Sequence, residues 1–203
     1  MATFMSQLQP VSLDPRMSIY RIPPAPAERV TLDDPATKVM TDLRKVKLVT
    51  IALDDPIDFA LQVMMQAEVR LLAVTDATDQ VLGFVSAFDI MGERPINVSQ
   101  RERIPRDGVQ VQHVMTPRSA IHPLDMRDVE RAHVRDVLLV LRAAGRHHIL
   151  VVEQDPATEH YLLRGVFSAT QIGRQLGISI EPEGTAQSFA ELEQILYPAR
   201  EVA

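Results

Sequence analysis

The sequence predicts a mixed α+β chain made of two tandem copies of one β-α-β-β-α unit. Three observations carry that prediction. Short patterns return in a fixed order: Val39-Met40-Thr41 as Val114-Met115-Thr116, Leu71-Leu72-Ala73-Val74 as His148-Ile149-Leu150-Val151, and Gly83-Phe84-Val85-Ser86 as Gly165-Val166-Phe167-Ser168. Their offsets, 75, 77 and 82 residues, grow slowly, as duplication followed by small insertions would leave them. Within each copy the apolar spacing switches between strand and helix in the same order. The length of 203 residues suits two such units packed together.

Taken in order, residues 1–33 read as an arm rather than a folded unit. Six of the 14 prolines lie in the first 35 residues, and the run Ile22–Ala27 is polyproline-like because each ring fixes φ and removes a donor. The first repeat is placed at 34–94. Lys47–Ile51 is extended, and Asp54-Asp55-Pro56 reads as a helix start with a carboxylate cap and proline at the first helical position. Ile57, Ala60, Leu61, Met64 and Ala67 then form a helical apolar stripe. Arg70–Asp76 and Val81–Val85 are strands, and Ser86 opens a short helix ending near Gly92.

Residues 95–108 are polar and hold Pro95, Pro105 and Gly108, so they read as a linker. The second repeat is placed at 109–178. Ala120–His122 is extended, one helical region runs from Asp125 to Ala144, and Gly145 is its left-handed stop. The strands His147–Glu153 and His160–Phe167 follow, with an enlarged hairpin tip at Gln154–Glu159. Helix Ala169–Leu176 ends at Gly177. The tail, 179–203, carries an amphipathic stretch at Ala186–Leu196 that reads as a short docking helix. Met40, Met64, Met65, Met91, Met115 and Met126 read as adaptable core filler.

Composition excludes several function classes. With no cysteine, disulfides, thiolate metal sites and cysteine nucleophiles are impossible. No apolar run approaches the ~18–20 residues that span a bilayer, and the N-terminus lacks a basic-then-apolar signal. A cytoplasmic protein is expected. The net charge of −6 argues against nucleic acid as partner, and aromatics at 4% leave few rings for bases to stack on. His113, His122, His133 and His160 lack metal-ligand spacing, so no metal is expected. There is no nucleophile elbow, phosphate loop, dinucleotide fingerprint or zinc-protease helix, so no catalytic residues are assigned and the chain is not expected to be an enzyme.

A unit opened by Val-Met-Thr and closed by Gly-x-x-Ser-x-x-Asp, repeated over about 36–178 with Gln171 in place of the second Asp, resembles the CBS domain, and the tandem resembles the CBS pair or Bateman module. The resemblance implies two repeats packed as a pseudo-twofold pair. It also implies a regulatory protein that binds AMP, ADP, ATP or S-adenosylmethionine in the cleft between repeats and requires no cofactor. Pairs of this kind often dimerise, so a homodimer and an unidentified regulated protein are the expected partners. The other reading is a ligand-free structural or dimerisation module.

Site residues follow from the same motifs. Ser86 with Asp89 three positions on is a capping-box pattern that needs no ligand. The resemblance adds that Asp89 accepts from the ribose hydroxyls, a task suited to an acceptor-only carboxylate, with Ser86 beside it. In the second copy Ser168 is followed by Gln171, which caps a helix but cannot offer two charged oxygens. The expectation there is a degenerate second site. Phosphate is expected at Arg70 in the first copy and at Arg146, His147 and His148 in the second. The histidines would serve only when protonated, strengthening binding below about pH 6.5.

Overall fold

The structure, a computed structural model, describes residues 29–78, 80–178 and 180. The helix expected at 186–196, most of the tail and residues 1–28 of the arm lie outside the described residues. Among those described, the strands are β1 (Thr41–Asp42), β2 (Thr50–Ala52), β3 (Leu71–Thr75), β4 (Val81–Ser86), β5 (Thr116–Pro117), β6 (Leu124–Asp125), β7 (His148–Gln154) and β8 (Tyr161–Ser168). The helices are α1 (Ile57–Gln66), α2 (Ala87–Met91), α3 (Arg94–Glu102), α4 (Val111–Val114), α5 (Met126–Val129), α6 (Val134–Ala144) and α7 (Ala169–Leu176).

Two four-stranded sheets result, ordered β2-β3-β4-β5 and β6-β7-β8-β1. They share one pattern: a parallel pair, an antiparallel hairpin and an antiparallel edge strand. The edge strands are exchanged. β1 belongs to the first copy in sequence but pairs with β8, while β5 of the second copy pairs with β4. Ala36 and Val39 accordingly sit in the second unit's core, and Val109, Val111 and Val114 sit in the first unit's. Gly83 lets the exchanged strand approach, and Gly165 faces the Met40 side chain at the matching place. A Cβ on Gly83 would lie 2.4 Å from the Thr116 carbonyl, and one on Gly165 would lie 2.5 Å from the Met40 sulfur.

The strands of each hairpin are buried on both faces, which is why they read as nearly unbroken apolar runs. Leu72, Val74 and Val85 face the first core, and Ile149, Val151 and Phe167 the second. The alternate residues, Ala73, Phe84, Leu150 and Val166, meet one another in a third apolar cluster that joins the two sheets.

Three local expectations are corrected. Pro56 is the N-cap of α1 rather than its first residue, and no side chain caps it; the Asp55 carboxylate instead accepts from the Ala52 amide at 3.0 Å. The region Asp125–Ala144 is two helices, not one. It breaks before His133 because the Ala132 carbonyl accepts from Ala36 N, while Val134 N and Arg135 N donate to Asp34 and Leu32. Backbone bonds to the chain's own beginning thus replace helical ones. The first unit repeats the arrangement, with Ile57 bonded to Val109, Val111 to Asp55 and Gln112 to Leu53.

Residues 95–108 are not bare linker. They contain most of α3, whose Pro95 and Val98 are buried and whose end is marked by Arg103 at φ 56°. Pro95 is compatible with the first turn, where no amide partner is lost. The methionine expectation holds for Met64 and Met126 but not for Met65 and Met91, which are 68% and 62% exposed.

Candidate functional site

Each hairpin delivers its last residue to the start of a helix. Ser86 caps α2 through a complete capping box. Asp89 Oδ2 accepts from the Ser86 amide at 2.8 Å and its hydroxyl at 2.6 Å, while the Asp89 amide donates to Ser86 Oγ at 3.3 Å. Such a cap is worth about 1 kcal/mol. Ser168 caps α7 in the same place, accepting from the Gln171 amide at 3.5 Å.

The other carboxylate oxygen, Asp89 Oδ1, pairs with Arg94 at 2.7 Å. The same Arg94 nitrogen donates to the Val114 carbonyl at 2.7 Å and to Thr116 Oγ1 at 3.5 Å. Thr116 Oγ1 also accepts from Arg146 at 3.2 Å. Beside them the His147 ring stacks on Phe88, centroids 3.3 Å apart and 4° from parallel. The first copy's acid and the second copy's basic cluster therefore meet at one place. With the Arg94 side chain 46% exposed, its ion pair with Asp89 contributes about 1 kcal/mol or less.

The second helix start has a matching but different set. Arg70 reaches across to Thr170 Oγ1 at 3.2 Å, and Thr41 Oγ1 donates to Gln171 Oε1 at 3.1 Å. The two contacts between copies are thus pseudo-symmetric: Arg70 meets Thr170, while its counterpart His147 meets Phe88, the counterpart of Thr170. The expected phosphate residues are divided between the sites: Arg146 and His147 stand with Asp89, and Arg70 with Gln171.

His148, at the start of β7, does not carry the charge near pH 6.5 expected from the sequence. Burial, with the neighbouring His147 and Arg70, pushes it down to about 4, so it is neutral at pH 6.5 and does not gain charge there.

Sequence reasoning missed Arg94, Thr116, Thr41, Phe88 and Thr170. Two signals pointed to them. Thr41 and Thr116 are the third residues of the repeated Val-Met-Thr triplet, and Phe88 and Thr170 lie inside the closing motifs. Nothing local marked Arg94.

Two β-α-β-β-α units that exchange edge strands and cross-contact at their helix starts define a paired-repeat module. The family model of the CBS domain matches residues 36–95. That match covers the first unit, and the second unit repeats its topology. No curated protein matches. Solved structures similar to the chain include an uncharacterised conserved protein from Pyrococcus horikoshii, at 20% identity and TM-score 0.49 over 70% of this chain and 92% of that one. CBSX2 in complex with AMP is 20% identical, with TM-score 0.47 over 70% and 94% of the two chains. A conserved CBS domain protein of Thermoplasma acidophilum is 19% identical, with TM-score 0.47 over 80% and 78%. Among the described residues no helix is long and apolar enough to cross a membrane.

Proposed function

We propose that the chain is a non-catalytic regulatory module that binds an adenine nucleotide (AMP, ADP or ATP, or S-adenosylmethionine) where its two units meet. One observation carries the reading. The acid-bearing helix start of one unit and the basic cluster of the other converge on Thr116, through Asp89, Arg94 and Arg146. In this reading Asp89 and Ser86 hold the ribose, and Arg146 and His147 hold phosphate. The Gln171 site, with Ser168 and Arg70, binds more weakly. A ligand touching both units favours the relative orientation in which both are engaged, and a protein partner reads that orientation.

Isothermal titration with AMP, ATP and S-adenosylmethionine tests the reading. Asp89→Asn weakens binding about 10- to 100-fold, the cost of losing a charge-assisted acceptor. Gln171→Ala changes it less than about threefold. A second reading, a ligand-free structural module, has its own support: Asp89 serves the cap of α2, and the second unit has Gln171 in its place. Absence of heat with all three compounds, in folded and unliganded protein, selects that reading.

We further propose a homodimer. Phe59, Met65, Met91 and Ile96 on α1, α2 and α3 are 47%, 68%, 62% and 55% exposed, apolar surface that a second copy would cover. Light scattering at micromolar concentration would give twice the chain mass; a value near 22.7 kDa rejects the dimer.

A further inference from the structure

The reading above assigns Asp89 to a sugar diol, yet Oδ2 is held by Ser86 and Oδ1 by Arg94. With three of the carboxylate's roughly four acceptor sites taken, a diol that donates two bonds must displace one of them. The Ser86 bonds belong to the helix cap and are part-buried, whereas Arg94 is a half-exposed side chain on the neighbouring helix. Arg94 is therefore the partner that yields.

What it yields to is set by its surroundings. Arg94 and Arg146 both donate to the one Thr116 hydroxyl, so two guanidinium groups crowd a single neutral acceptor, and Asp89 is the only carboxylate paired with either in the described structure. An anion placed between them accepts charge-assisted bonds from both, roughly twice as strong as those a neutral acceptor makes. The second site supports the pairing of roles. At the offset of 82 residues that relates Asp89 to Gln171, Arg94 corresponds to Leu176. Where the acid is absent, the arginine is absent too.

We infer that Arg94 is a specificity-determining residue. It occupies the Asp89 carboxylate until a ligand's phosphate draws it away, so the site selects phosphorylated nucleosides over unphosphorylated ones. This rests on the proposed nucleotide site. Adenosine must break the Asp89–Arg94 pair without recompense, while AMP exchanges it for a phosphate–Arg94 contact. Sugar and phosphate recognition are thus coupled through one side chain.

Titration calorimetry with adenosine and AMP tests the inference in wild type, Arg94→Met and Arg94→Lys. Methionine keeps an unbranched apolar stem and removes the charge; lysine keeps the charge and loses the planar fork. In Arg94→Met, adenosine binds about three- to tenfold tighter and AMP weaker, so the AMP-to-adenosine affinity ratio falls about tenfold or more. Arg94→Lys gives an intermediate ratio. A ratio unchanged within twofold in both variants, with Asp89→Asn still weakening binding, overturns the inference and leaves the proposed site standing. Failure of wild type to bind either compound overturns both.

Discussion

His148 shows how one residue's surroundings override its sequence identity. At the equivalent position the first unit has Leu71, the opening residue of β3. The second unit has an imidazole packed beside His147 and Arg70, whose charges, with burial, keep it neutral down to about pH 4. The unfolded chain takes up that proton near pH 6.5. Above pH 6.5 both states are neutral and the ring leaves stability unchanged. As pH falls from 6.5 to 4, the unfolded state binds a proton that the folded state refuses, and stability is lost, levelling off below about 4. The full loss is on the order of 3 kcal/mol. His148→Leu, which copies the first unit, removes this dependence. Urea unfolding at pH 7.5 and 4.5 therefore shows wild type losing roughly 2–3 kcal/mol more than the variant. Equal losses in the two proteins would refute the assignment.

At the level of elements, legibility followed how local the determinants are. The hairpins β3-β4 and β7-β8 were readable because both faces of their strands are apolar and each is followed by a serine cap. The stops at Gly145 and Gly177 were readable because each adopts positive φ, 57° and 74°, where glycine meets no Cβ strain. The break before α6 was not readable. Nothing within 125–144 forbids a continuous helix; residues 32–36, about a hundred positions earlier, take its backbone bonds. Helix α3 was hidden for another reason. Its apolar stripe is narrow, Pro95 and Val98, and its surrounding charge reads as linker until the first unit's core is there to receive it. The same separation divides the site. Ser86 and Asp89 share a local motif and were found together, whereas Thr116 reaches Arg94 only because the edge strand has crossed between units.

That crossing governs the whole molecule. Each sheet's last strand, and three or so of its core residues, come from the other repeat in sequence order. A chain cut within 95–108 leaves a first half without β5, Val109, Val111 and Val114, and a second half without β1, Ala36 and Val39. Neither half can complete its sheet as a monomer, because the missing edge leaves a row of unpaired backbone groups and an uncovered core. The first half has one escape. Its own β1 is the structural equivalent of the missing β5, Thr41 standing where Thr116 does, so two copies can exchange strands with each other. Residues 1–108 expressed alone are therefore expected as an unfolded monomer or a folded self-paired dimer, with an unfolding midpoint that falls on dilution. Residues 109–203 behave likewise through β5. Mixing the halves restores one cooperative transition, since the two-unit assembly also buries the Ala73, Phe84, Leu150 and Val166 cluster between them. Sedimentation and circular dichroism on each half decide the matter. A half that is monomeric by sedimentation and still unfolds cooperatively would mean that strand exchange is incidental to folding, and that each unit stands alone.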